Sequence, residues 1–498
     1  MLDALVKSAP VAAVTTTGTL IIGSGFAGLC MAIKLQDAGL DDFLVIEKSA
    51  DIGGTWFDNR YPGCACDIPS HLYSLSFEPR SDWSRMYPTQ PEILAYLRDV
   101  VEKHGLRRRI RLNTGFQSAM WDEGAALWHV TTQTGDVITC RVLISGMGAL
   151  HYPSIPTLPG LETFEGEVFH SARWNRDYDL TGKNIAVIGT GASAIQFIPE
   201  IAPQAAQLTV YQRTPPWILP KIDPEITGRQ RTLMRWLPFY RAALRQKLFV
   251  IHEMRAAGFA VNPALMAKTE AIARRFLKRQ VKDPVLQARL TPDYTIGCKR
   301  VLISNTYYPT LQRPNVELVT DGVAEIRAHS VVGTDGQERA ADAIIFGTGF
   351  RTTDAMTQVT ITGRGGVTLN QAWAQGMRAY MGITVPGFPN FFMLLGPNTG
   401  LGHNSVVIMI EAQVRYIMSA LSLMRRRRAR AMDVKPAVDE AFHQILTTKM
   451  DRTVWQSGGC QSWYQDASGR NTTLWPGFTV EYSWRTRGVR AAEYELMD

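Results

Sequence analysis

Thr19-Leu20-Ile21-Ile22-Gly23-Ser24-Gly25-Phe26-Ala27-Gly28 runs from an apolar strand into a glycine-rich turn, and its reading decides the fold. Beyond it, Leu29, Ile33 and Leu35 fall at helical spacing up to Gly39, and Phe43-Leu44-Val45-Ile46 reads as a strand capped by Glu47. Strand, glycine turn, helix and strand make a β-α-β dinucleotide-binding unit. The glycines allow a tight turn and close backbone approach to a pyrophosphate, whose charge meets the helix N-terminus. An acid about 20 residues further on takes the ribose hydroxyls of an adenine nucleotide. The residues expected to bind cofactor here are Gly23, Ser24, Gly25, Phe26, Ala27, Gly28, Glu47 and its neighbour Lys48.

A second unit begins at Asn184-Ile185-Ala186-Val187-Ile188 and turns through Gly189-Thr190-Gly191-Ala192-Ser193-Ala194. A helix carrying Gln196 follows, then Leu208-Thr209-Val210-Tyr211-Gln212. This strand ends on Arg213-Thr214, not on an acid. A cation there suits a 2′-phosphate and favours NADPH over NADH, with a plain surface arginine as the alternative. One such glycine motif arises by chance in roughly one chain in three, so the argument rests on two copies, each between a strand and a helix. The expected class is α/β, with two Rossmann-like dinucleotide-binding domains and a helical insertion.

Several further strings fit no generic nucleotide fold. Phe164-x-Gly166-x-x-x-His170-x-x-x-Trp174 lies just ahead of the second unit, and at this composition its chance expectation is on the order of one in a thousand. Gly53-Gly54-Thr55-Trp56, Tyr61-Pro62-Gly63 and Asp67 form another spaced set. Together these resemble the two fingerprints of type I Baeyer–Villiger monooxygenases, although Asn175 stands where that family usually has Pro or Asp. The resemblance covers residues 17 to 480. It implies FAD in the first unit and NADPH in the second, with reduced flavin and dioxygen giving a flavin peroxide that converts ketones to esters or lactones. It aligns Arg300 with the family's catalytic arginine and Asp67 with the carboxylate that orients it. The anionic intermediates call for such a fixed charge. It further implies cofactor contacts from Gly54, Thr55, Trp56, Asp67 and Tyr73, phosphate contacts from Lys299 beside Arg213 and Thr214, and closure of Trp463 over the nicotinamide ribose, with a core-packing tryptophan as the alternative. His170 is expected to fasten the NADPH domain.

The resemblance also sets the expected division. An FAD domain over 1–150 and 342–498 is interrupted by an NADPH domain over 151–220 and 291–341, itself carrying a helical insertion over 221–290. The Ala341 to Phe350 string is read as the return to the FAD domain, and the insertion as a lid over the cleft, with a membrane-surface helix as its alternative. The ending Leu474-Trp475-Pro476-Gly477 departs from cyclic-ketone members and points to open-chain or aryl ketones, with sulfoxidation as a side activity. A heteroatom-oxidising flavin-containing monooxygenase and a non-oxygenating NADPH oxidase are the competing functions.

Composition narrows the rest. The chain has 498 residues, 45% apolar and 20% charged, which is ordinary for a globular protein. No apolar run is seen to reach the roughly 18 residues of a spanning helix, and Met1 to Gly18 makes a poor signal peptide. Six scattered cysteines (Cys30, Cys64, Cys66, Cys140, Cys298 and Cys460) read as reduced thiols of a cytoplasmic protein. Cys64-x-Cys66 lacks a second pair at ligand spacing, so no metal is expected. The net charge of +8 resides in helix ends such as Arg425 to Arg428, and no nucleic-acid motif accompanies it. The expected partners are a small ketone and dioxygen, with no nucleic acid and no membrane span, and the chain is expected to be a monomer or weak dimer.

Overall fold

The structure is a computed structural model that describes residues 14–352 and 358–498; the residues before 14, on which the signal-peptide reading rests, lie outside it. Two parallel-centred sheets organise the chain. In the first, Val14–Ile22 lies between Phe43–Ile46 and Val137–Ser145, parallel to both. The order across this sheet is Thr360–Thr362, Phe116–Asp122, Leu127–Thr132, Val137–Ser145, Val14–Ile22, Phe43–Ile46 and Ile110–Arg111, with Phe391–Met393 also pairing with Val137–Ser145. Its central strands are buried on both faces, which is why they read as unbroken apolar runs. The helix Phe26–Asp37 packs against one face and against the long helix Val406–Arg427.

Val406–Arg427 corrects one expectation. It is long and apolar enough to cross a membrane by length and composition, but 56% of its most apolar window is buried inside the protein. Here it is a core helix, closed by Arg425, Arg426 and Arg427 at its negative end.

The second sheet has five strands, in the order Val316–Val319, Gln207–Tyr211, Asn184–Ile188, Ala343–Phe346 and Glu167–His170, all parallel. Ala343–Phe346 therefore belongs to this sheet, and the expected boundary between 341 and 342 moves to beyond Phe346. The insertion is helical, with Gly228–Trp236, Pro238–Ala256, Met266–Gln280 and Pro284–Arg289.

Two chain segments join the sheets. One leaves the first sheet at Gly146, the other leaves the second at Gly347, and they pair with each other. Ser154 N donates to Gly349 O and Arg351 N to Tyr152 O, at 2.9 Å each.

The cysteines divide. Cys30, Cys64, Cys66 and Cys140 are free and buried, but Cys298 and Cys460 form a disulfide across a separation of 162 residues. The expectation of six reduced thiols is corrected to four.

Candidate active site

A cavity of about 1110 Å³ runs between the two glycine turns. This exceeds the roughly 300–1,000 Å³ typical of a single-ligand pocket, as two nucleotides require. Its lining holds every expected site residue except Ser24 and Gly28. Those two shape the turn from behind. A Cβ on Gly28 would collide with the Gly23 carbonyl oxygen. Ser24 donates through both its N and Oγ to Glu47 Oε2, at 2.8 Å each, while Ser49 N donates to Oε1 at 2.9 Å. The Glu47 carboxylate is thereby fixed at the head of the turn.

The neighbouring glycine turn approaches from the other side. A Cβ on Gly54 would stand 3.1 Å from Gly25 Cα and fill the cradle between the turns. Thr55–Asp58 is a short helix following Gly54. Trp56 Nε1 donates to Tyr73 Oη at 3.2 Å, and Phe26 packs edge-on to Tyr73 with ring centroids 5.2 Å apart. These aromatic rings form the apolar floor beneath the cradle. Lys48 stands over the Tyr152 ring at 5.6 Å.

At the second turn, a Cβ on Gly189 (φ +104°) would lie 2.6 Å from the Gly347 carbonyl oxygen, so only glycine fits. Arg213 and Lys299 converge nearby. Burial, then the charge of Arg213, pulls the Lys299 ammonium below its ordinary value, and Asp293 offsets part of this. Two facing cations in a cavity wall favour an anion between them. Gln196 reaches out of the second unit instead of facing only the cavity: it accepts from Tyr61 Oη at 2.9 Å and donates to Ala65 O at 3.0 Å.

Between the turns, Arg300 donates from Nε and Nη2 to Asp67 Oδ2 and Oδ1 at 2.7 and 2.6 Å. The side chains are 28% and 25% exposed, and both line the cavity. Burial alone would raise the Asp67 carboxyl, but Arg300 overcomes that and holds it below the usual carboxylate range. Asp67 in turn pushes Arg300 further up. The pair stays ionised at any working pH and presents a fixed cation to the cavity.

The pyridine nucleotide-disulphide oxidoreductase family model matches residues 20–237. A Baeyer–Villiger monooxygenase of Pseudomonas aeruginosa is 50% identical over 477 residues, covering 96% of this chain and 90% of its own length. The chain belongs to the Baeyer–Villiger monooxygenases. A Baeyer–Villiger monooxygenase of Streptomyces coelicolor is 47% identical, covering 96% of this chain and 92% of its own. Among solved structures, cyclohexanone monooxygenase from Rhodococcus sp. Phi1 bound to NADP+ superposes with a TM-score of 0.88 at 30% identity, over 97% of this chain and 99% of that one. A steroid monooxygenase bound to NADP gives 0.87 at 30% identity, over 97% and 100%. The protein is thus a flavin-dependent, NADPH-using monooxygenase with an FAD and an NADP domain.

In this Baeyer–Villiger monooxygenase the fingerprint around His170 folds as the strand Glu167–His170 and a tight turn. His170 Nδ1 accepts from Ala172 N at 3.1 Å, and the ring packs against Phe350 in the returning segment, centroids 5.8 Å apart. Burial lowers it to about 4, so it is uncharged near neutral pH. Trp174 packs on Phe197 of the nucleotide helix at 5.2 Å.

Two residues near the ion pair escaped the sequence. Tyr464 is buried against Arg300; burial pushes its hydroxyl up to about 12, with the Arg300 charge pulling the other way. His252, from the insertion helix Pro238–Ala256, lies within electrostatic reach of Asp67 and is lowered by burial to about 4. Tyr464 follows Trp463 directly, which was the one available signal; His252 had none. The insertion, expected as a lid, contributes none of residues 217–293 to the lining of this cavity. Trp463 is 42% exposed at the rim, with its carbonyl accepting from Thr352 Oγ1 at 2.8 Å.

Proposed function

We propose that this chain inserts one oxygen atom of dioxygen beside the carbonyl of open-chain or aryl ketones, with Arg300 as the catalytic cation and Asp67 as its positioning residue. The observation that carries this is the two-armed Arg300–Asp67 pair facing a cavity that also holds both glycine turns. FAD would rest on Gly23, Gly25, Glu47, Gly54, Thr55 and Trp56. NADPH would rest on Gly189, Thr190, Gly191, Ala192 and Ser193, with its 2′-phosphate between Arg213 and Lys299 and its ribose under Trp463. When bound, the flavin reduced by NADPH supplies the activated oxygen.

The rest is the work of this chain. Arg300 faces the negative charge that develops on the carbonyl oxygen and, held by Asp67, needs no reorientation as that charge grows. Arginine keeps its proton, so its role is electrostatic and not acid–base. Tyr464, neutral below about 12, bears on the same guanidinium.

The substrate class is read from the C-terminal segment. Leu474 lines the cavity, and Trp475 is buried behind it with Nε1 donating to Phe478 O at 3.1 Å. An apolar wall of this kind supports the reading that a flexible chain or a flat ring lies against it.

The test is to incubate FAD-loaded protein with NADPH, air and a panel of linear, cyclic and aryl ketones plus a sulfide, reading products by mass spectrometry. Esters from linear or aryl ketones in preference to lactones are expected, with sulfoxide as a minor product. Lactones alone would overturn the substrate class. Sulfoxide alone would move the activity to heteroatom oxidation.

A further inference from the structure

The outward face of the insertion takes no part in the site. Residues 221–290 carry 15 Lys and Arg against 5 Asp and Glu, a net +10 within a chain whose total is +8. The remainder of the molecule is therefore slightly acidic.

The helix Pro238–Ala256 has two faces. The inner one buries Leu248, His252 and Ala256. It is fastened by Arg245, which donates to His71 O and Ser74 O at 2.7 and 3.0 Å, and by Glu253, which accepts from Asn404 Nδ2 and Val480 N at 2.9 Å each. On the outer face Phe239, Ala243, Gln246, Val250 and Met254 recur every three or four residues, all exposed. Phe239 and Met254 are 70% and 69% exposed, and Trp236, at the corner with the preceding helix, is 74% exposed. The same insertion exposes cations: Arg229, Arg235 and Lys247 on these two helices, then Arg275, Lys278 and Arg279 on Met266–Gln280.

A row that is apolar except for Gln246, with the bare rings of Phe239 in it and Trp236 beside its start, marks a surface that something covers. A second copy docked through it would bring two strongly cationic faces together, which their charge opposes. A nucleic acid would satisfy the cations, and a single strand would stack on Trp236 and Phe239, but Val250 and Met254 would stay in water. An anionic bilayer satisfies both, since aromatic rings settle at headgroup level and Lys and Arg meet the lipid phosphates. We propose that this insertion docks the enzyme peripherally on anionic phospholipid, with Trp236 and Phe239 as the seated side chains.

The experiment uses the full-length FAD-loaded enzyme, floated with vesicles of phosphatidylcholine alone or mixed with phosphatidylglycerol. Flotation is expected only with phosphatidylglycerol, and it should fall as salt shortens the reach of the charges. The double substitution Trp236→Ala and Phe239→Ala should cut partition about tenfold or more, from the lost ring burial. Arg275→Glu with Lys278→Glu should do the same through charge. Both variants should keep FAD content and NADPH turnover, because none of these residues lines the cavity. Absence of flotation on anionic vesicles at low salt, or equal flotation of wild type and the aromatic variant, overturns the proposal. So does a dimer, seen by light scattering, that the aromatic substitutions abolish, or RNA binding that competes with vesicles and ignores those substitutions.

Discussion

Arg300 is held in place: its Nε and Nη2 are committed to one carboxylate 233 positions away in the chain. Arg300→Ala should leave flavin reduction by NADPH intact while lowering product formation by about 10²–10³, the usual cost of one preorganised electrostatic contact. Stopped-flow reduction and product yield, measured separately, decide this. Lysine at 300 keeps the charge but not the fork, so it should recover only part of the rate. Asp67→Ala leaves a partly buried cation without its partner and should cost about 1–3 kcal/mol of stability, read by urea unfolding. The sign of the acid response follows from the lowered Asp67 carboxyl. Its contribution is complete above the unfolded value of about 3.9 and disappears only as pH falls through the lower folded value. The wild type should thus lose this pair only below about pH 4, and activity between pH 6 and 9 should show no Asp67 titration. For the second nucleotide, Arg213→Ala should raise the KM for NADPH by about tenfold or more and leave that for NADH nearly unchanged, since only the phosphate loses a partner. Equal effects on both would place Arg213 outside the phosphate site.

Among the elements, the disulfide between Cys298 and Cys460 bears most directly on the site. It ties the segment carrying Lys299 and Arg300 to the segment carrying Trp463 and Tyr464. Replacing both cysteines by alanine should lower stability by about 2–5 kcal/mol. It should also loosen Tyr464 from Arg300, so that more NADPH is consumed per ester formed. Unchanged stability and coupling would show that packing alone joins the two segments. This link was not legible in the sequence, because six cysteines do not declare their pairing. The nucleotide turns were legible, since each is local: a strand, a turn and a helix within one short stretch. The strand Ala343–Phe346 was visible as a strand but was assigned to the wrong sheet. A strand buried on both faces reads as a plain apolar run wherever it pairs. The Arg300–Asp67 pairing, distant in sequence, was legible only through the family resemblance. The insertion's helices were plain in the sequence, whereas the side they turn towards the body was not, because that side is set by single anchors such as Arg245 and Glu253.

At the scale of the molecule, the two sheets share one continuous core. Residues flanking the first glycine turn, such as Leu29 and Ile33, belong to the same buried cluster as Ile185, Val187 and Leu208 of the second sheet. Gln196 stitches the seam with its bonds to Tyr61 and Ala65. Gln196→Ala takes the amide partner from both groups and should cost about 1–3 kcal/mol. It should also separate the unfolding of the two sheets, visible as calorimetric and van't Hoff enthalpies that no longer agree. A single unchanged transition would mean that the apolar seam suffices.

The two joining segments carry a mechanical consequence. Gly146 O stands 2.7 Å from where a Cβ of Gly23 would be, and Gly347 O holds the same relation to Gly189 at 2.6 Å. Each tether therefore begins in contact with a glycine turn. A rotation of one sheet against the other about these tethers would have its pivot at the glycine turns, and displacement would grow along the lever arm away from it. With nucleotides bound as proposed, their pyrophosphate ends would stay nearly still while their far ends swept an arc, so a small turn at the tethers would become a long stroke at the chemistry.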